Sequence, residues 1–279
     1  MGIILRAVGL WWLLFAVAHA GQTWVVTLPG TAKALAPALG PDDRLTVLLQ
    51  PGQNPHHWAL KPSQLRTLKQ ADHIVLVDRD FEAPVLKQIQ QGGWWYKTVV
   101  WSELRGVEKL KADAGHGDGG INPHLWLGPR NALALLRQLG RKGLLPVPQT
   151  RRALSALGRA YLNMQIDMAD LQGKPYMSWH GAFAYFEKDL DLKPVAVIEP
   201  GEGERLSLRR MNEVRQLIRE KNVRCIIYPA HQSPAVLKNL VRGLNVRLQP
   251  LDALGWQQKD YLSWMKQLAD GYKACLNPS

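Results

Sequence analysis

The sequence predicts an α/β fold of two (β/α)4-type lobes, each built on a parallel sheet, joined by one long backbone helix. Three observations carry this. Short β-rich apolar runs alternate with helical patterns along the 279 residues, four runs to each half; such runs separated by helices mark parallel sheets covered on both faces. One long periodic segment lies between the halves. The composition, 46% hydrophobic and 21% charged, is that of a globular chain able to bury a full core.

Taken in order, the first twenty residues, MGIILRAVGLWWLLFAVAHA, carry one early cation, Arg6, then an apolar run from Ala7 to Ala18, ending in Ala-His-Ala. That is the pattern of a secretory signal peptide cleaved after Ala20. Twelve apolar residues fall short of the roughly 20 needed to span a bilayer, so an exported chain in the periplasm is expected. A first lobe over 21–147 follows, with strands at Thr23–Leu28, Leu45–Leu49, Asp72–Val77 and Thr98–Trp101. Pro62 opens a helix running to Ala71. The linking helix is read over 148–172: Leu154, Leu157, Tyr161, Met164, Met168 and Leu171 are spaced 3, 4, 3, 4, 3, one continuous apolar stripe. Gly173-Lys174-Pro175 ends it. At 1.5 Å per residue it is about 37 Å long, enough to reach across two lobes. The second lobe, 173–279, has strands at Tyr176–Trp179, Val195–Ile198, Val223–Tyr228 and Asn245–Gln249.

The formal charge is +12, or +11 once Arg6 leaves with the leader. The basic residues are dispersed, as in RRALSALGR and SLRRMNEVRQLIREK. They form no stripe of the kind that tracks nucleic acid, and no nucleic-acid partner is expected. Export places Cys225 and Cys275 in an oxidising compartment, where they can pair across 50 residues; two buried free thiols are the alternative.

Asn54–Trp58 reads NPHHW and Asn122–Trp126 reads NPHLW, the same phrase twice in a chain with eight histidines. In open α/β sheets, ligands sit beyond the carboxyl ends of the strands. His56 follows the second strand through the loop QPGQNP, His124 follows the fourth through a longer loop, His180 directly follows Trp179, and Asp252 follows the strand ending at Gln249. Two from each lobe can therefore converge on the interlobe cleft. Three imidazoles and a carboxylate suit a tetrahedral, borderline-soft cation, Zn²⁺ above all. Proline before His56 and His124 stiffens each loop. His57 and His231 are candidate outer contacts, His73 sits at the start of a strand, and His19 leaves with the leader.

These residues carry a resemblance. PGQNPHHWALKPSQLRTLKQADHIVLVDRDFE, NPHLWLGPRNA, SWHGAFAYFEKDLDL and LDALG, in this order, resemble the sequence blocks of the periplasmic zinc-binding solute-binding proteins of metal-ion ABC importers, the metal-binding cluster A-I family. The resemblance covers nearly the whole chain after the leader. It implies His56, His124 and His180 as metal ligands, Asp252 as a fourth or nearby carboxylate, and a Cys225–Cys275 disulfide. It also implies Zn²⁺ as the transported ligand, an inner-membrane ABC permease with its ATPase as partner, and a monomer with no catalytic residues. Manganese and iron members resemble this pattern with a glutamate at the place of His180. Three departures stand out: Asn122 where the family commonly has Asp, Ala253 for a proline, and a Tyr-Pro-Ala-His-Gln segment holding His231. The histidine-rich loop of zinc members is reduced here to AGHGDGG, with His116 and Asp118 as an accessory pair.

Other readings of the same residues are a manganese or iron carrier of this fold, a secreted zinc-dependent hydrolase, and an adhesin. Against the hydrolase, the chain has no HExxH and no carboxylate at fixed spacing from a ligand to serve as general base.

Overall fold

A computed structural model of the chain describes residues 21–112, 120–199 and 206–277. The leader, His116 and Asp118 lie outside the described residues. The first half runs β1 (Thr23–Val26), α1 (Pro29–Leu35), β2 (Arg44–Val47), α2 (Pro62–Gln70), β3 (His73–Leu76), α3 (Ala83–Gln91), β4 (Thr98–Val100) and α4 (Pro129–Arg141). Helix α5 (Val147–Met168) follows, closed by a 3-10 turn at Ala169–Leu171. The second half comprises β5 (Met177–Ser178), α6 (Ala184–Asp189), α7 (Leu208–Glu220), β6 (Cys225–Pro229), α8 (Ala235–Leu240), β7 (Arg247–Leu251) and α9 (Tyr261–Leu276).

Both sheets are parallel, in orders β2-β1-β3-β4 and β5-β6-β7. Alternation along the central strands sends side chains to opposite faces. In the first sheet Trp24, Val26 and Val75 enter one core while Val25, Ile74 and Leu76 enter another. In the second, Cys225 and Ile227 face the first of these cores and Ile226 faces a third. One interior is thus shared by the inner faces of both sheets, and each sheet keeps a smaller core outside.

The run Val195–Ile198, expected as a fourth strand of the second sheet, makes a single parallel bridge, Ser178↔Val197. Val195 and Ile198 do donate backbone N–H groups to Tyr176 and Ser178. Ser178 N also donates to Ala196 O and Glu199 N to Trp179 O, so the run lies along Tyr176–Trp179 through four backbone bonds, in a register irregular enough to leave one regular bridge.

The stripe on α5 packs as its spacing implies. Leu157, Met164, Met168 and Leu171 are buried in the shared core, Leu154 and Tyr161 pack against it, and Leu162 and Ile166 face outward. Other ties cross between the halves. The Trp126 indole donates to Ala253 O at 2.8 Å and Tyr261 OH to Trp126 O at 3.0 Å. The first turn of α4 has no cap from its own segment; Asp189 on α6 accepts from Arg130 N at 2.8 Å, placing a carboxylate at the positive end of the helix. Lys188 pairs with Glu108 at 2.6 Å. Gly30 is fixed by proximity, since a Cβ there would lie 2.5 Å from the Trp126 ring.

Cys225 and Cys275 form a disulfide, Cα atoms 5.6 Å apart, joining β6 to α9. Both are buried. The Glu82 carboxylate is buried beneath the loop after β3, accepting from Val77 N and Asp78 N; burial pushes its pKa up to about 8. Among the described residues no helix is long and apolar enough to cross a membrane.

Candidate metal centre

The two Asn-Pro-His phrases fold alike. Asn54 Oδ1 accepts from His56 N at 3.0 Å, and Asn122 Oδ1 from His124 N at 3.0 Å. This is an asparagine turn, with proline supplying a fixed φ at its centre. The repeated phrase therefore encodes a repeated local geometry, one that presents a histidine from the end of a rigid turn.

Each histidine comes from the carboxyl end of a sheet. His56 lies in the loop between β2 and α2, His124 in the loop leading to α4, and His180 just beyond β5. Their ring nitrogens lie within 4.8 Å of one another. His56 Nε2 is 3.3 Å from His124 Nε2, and ring centroids are 5.1 to 5.6 Å apart. His124 and His180 are buried and His56 is half-buried. The Phe81 ring stands edge-on to His56 at 5.0 Å, and Trp126 lies 5.1 Å from His124. Three nitrogen donors on one point, with aromatic walls, make a candidate chelating site, one whose donors suit a borderline-soft cation.

Outer contacts orient two of the rings. Asn122 Oδ1 accepts from His124 Nδ1 at 2.9 Å. Glu199 Oε2 is 3.1 Å from His180 Nδ1, both side chains being almost wholly buried. A partner on Nδ1 fixes the tautomer and turns Nε2 to the ligand side.

The structure does not bring Asp252 into this group. Its Oδ1 accepts from Leu254 N and Gly255 N and its Oδ2 from Gln257 N, so the carboxylate closes the turn after β7. Gly255, at φ +75°, supplies the left-handed residue that turn requires. His57 and His231 are exposed, and neither belongs to the converging set among the described residues. His73 bonds Gln22 at 3.1 Å and stacks on Trp24, away from the centre. Sequence reasoning missed Glu199. Its position was the available signal: it is the first residue after the apolar run Val195–Ile198, as His180 is the first after its strand.

Comparison with known proteins identifies the family and the fold. A ZnuA of Yersinia pestis, a high-affinity zinc uptake system protein, is 27% identical over 281 residues, covering 88% of this chain and 87% of that protein. A zinc-bound ZnuA deletion mutant superposes with a TM-score of 0.76 at 20% identity, covering 93% of this chain and 99% of that one. The solute-binding protein FpvC of Pseudomonas aeruginosa, in complex with Mn²⁺, superposes with a TM-score of 0.74 at 17% identity, covering 90% and 95%. Residues 25–275 match the family described as ZnuA, zinc-uptake complex component A, periplasmic. With nearly all of its length inside that match, the chain belongs to the ZnuA family: metal-binding solute-binding proteins of ABC uptake systems, and not enzymes.

Proposed function

We propose that this chain captures Zn²⁺ in the periplasm and delivers it to a cognate ABC permease, holding the ion through Nε2 of His56, His124 and His180. The observation that carries the reading is the donor set. Among the described residues the three groups that converge are all imidazoles, and such a nitrogen donor set favours zinc over manganese. The named zinc-uptake relative supports the same choice. A leader over residues 1–20 is the means of export in this reading. Cys225–Cys275 fits an oxidising compartment.

Asp252 is assigned to the turn rather than to the ion, because three backbone N–H groups already engage it. His116 and Asp118 are proposed as a minor accessory pair that collects little metal, given two potential ligands in so short a loop. The test is metal content. The chain purified from the periplasm without added metal is read by mass spectrometry beside His180→Ala. About one zinc per chain, lost in the variant, is the expected result. Manganese or iron in place of zinc overturns the selectivity, and retention of zinc by the variant overturns the site.

A further inference from the structure

Asn122 does more than shape its turn. Its side chain is buried at 2% exposure and is engaged at both ends. Oδ1 accepts from His124 N and from His124 Nδ1 at 3.0 and 2.9 Å. Nδ2 donates to Gly181 O at 2.7 Å. Gly181 adjoins His180, so one amide ties a ligand of the first half to the backbone beside the ligand of the second. The main chain of Asn122 repeats the link: its carbonyl accepts from Tyr185 OH on α6 at 2.8 Å, while Tyr185 OH accepts from Leu110 N at 3.1 Å.

Resting on the zinc-site reading above, we propose that Asn122 is the positioning residue that couples the two halves across the ion and sets how fast the ion leaves. Release requires the His180 side to part from the His56–His124 side. That parting must break the Asn122–Gly181 bond, which is buried and so has no water to replace it at the moment of opening. The chemistry asks for an amide. The group must accept from two N–H donors on one side and donate to a carbonyl on the other. A carboxylate can do the first but sets oxygen against the Gly181 oxygen on the second. The residue at this place therefore decides whether the ion-bound halves are tied or pushed apart.

The test is Asn122→Asp, which keeps size and the acceptor toward His124, replaces the donor with a second oxygen, and adds a charge that strengthens His124 as a ligand, so faster release must arise in spite of that charge. Zn²⁺ release is followed by stopped flow into excess chelator, association by competition with a fluorescent chelator, and ligand geometry by the visible spectrum of the Co²⁺-loaded protein. Release is expected to speed up by about tenfold or more. Association stays within about twofold, and the Co²⁺ spectrum is unchanged. Asn122→Ala, which removes the tie without adding repulsion, speeds release in the same direction and by less; it also serves if the aspartate variant does not fold. Release at the wild-type rate in both variants overturns the proposal. So does an altered Co²⁺ spectrum with slowed association in Asn122→Asp, which reduces Asn122 to an orienter of His124. A wild-type chain that takes up no metal overturns the site reading itself, an outcome distinct from normal uptake with unchanged release.

Discussion

His56 Nε2 and His124 Nε2 stand 3.3 Å apart, each held at the end of its own Asn-Pro-His turn. Two ring nitrogens that close share either a proton or an ion. With His180 they are expected to act as one chelate. Alanine at position 56, 124 or 180 should each lower zinc affinity by more than about 100-fold, beyond the range typical of outer-sphere partners. His57→Ala and Asp252→Asn should change it by less than about threefold, because one is exposed and the other holds a turn. Competition titration against a chelator of known affinity checks this. An Asp252→Asn loss as large as that of His124→Ala would place the aspartate on the ion.

Glu199 holds His180 through Nδ1. Glu199→Gln keeps an acceptor but removes the charge that raises the basicity of the ring. Zinc affinity is expected to fall by about 10- to 100-fold with stoichiometry unchanged, read by the same titration. An effect below about twofold would assign the pair to packing alone.

The alternation of apolar runs with helical patterns was legible because parallel strands are buried on both faces, so Trp24–Val26 and Cys225–Tyr228 read as unbroken apolar stretches. The stripe of α5 was legible because only one face of the helix is buried, so apolar residues recur every three or four positions from Leu154 to Leu171. Val195–Ile198 was legible as an extended run, and it does lie along Tyr176–Trp179; the irregular register of its backbone bonds, which leaves one regular bridge, has no signature in the sequence. The three histidines could be found from their places after strands and after Asn-Pro. Glu199 offered only the weaker signal of its place just after Val195–Ile198, since the partner that gives it a role lies 19 residues back. Asp252 stands at a strand end, followed by Leu254-Gly255, a place that fits a ligand and a turn equally well in the sequence; its backbone donors are visible only in the structure.

Glu82 makes stability depend on pH. Its ordinary pKa of 4.5 is raised by burial to about 8. The folded chain therefore keeps a proton in that window which the unfolded chain gives up. The contribution is whole below pH 4.5 and is lost as pH rises through about 8, beyond which the slope vanishes. Glu82→Gln removes the dependence. In urea unfolding of the metal-free protein, wild type should lose on the order of a few kcal/mol relative to this variant between pH 5 and pH 8. An equal difference at both pH values would show that Glu82 is ionised throughout.

The Cys225–Cys275 bridge closes a 50-residue separation. The double change to alanine is expected to lower unfolding stability by up to about 4 kcal/mol, from the freedom restored to the unfolded chain. Zinc affinity should move little, since neither cysteine adjoins the three imidazoles. Chemical denaturation of the metal-free variant, followed by zinc titration under native conditions, reads both.

The interior shared by the two sheets bears on how the chain comes apart. Trp24, Trp126 and Leu157 from one side pack in the same cluster as Ile227, Trp264 and Tyr272 from the other. Neither sheet owns a complete inner core. A fragment stopped before α5 would expose its half of that interior to water and aggregate rather than fold. The two halves are accordingly expected to unfold together, despite the outline of two modules, and a recombinant half is expected not to fold.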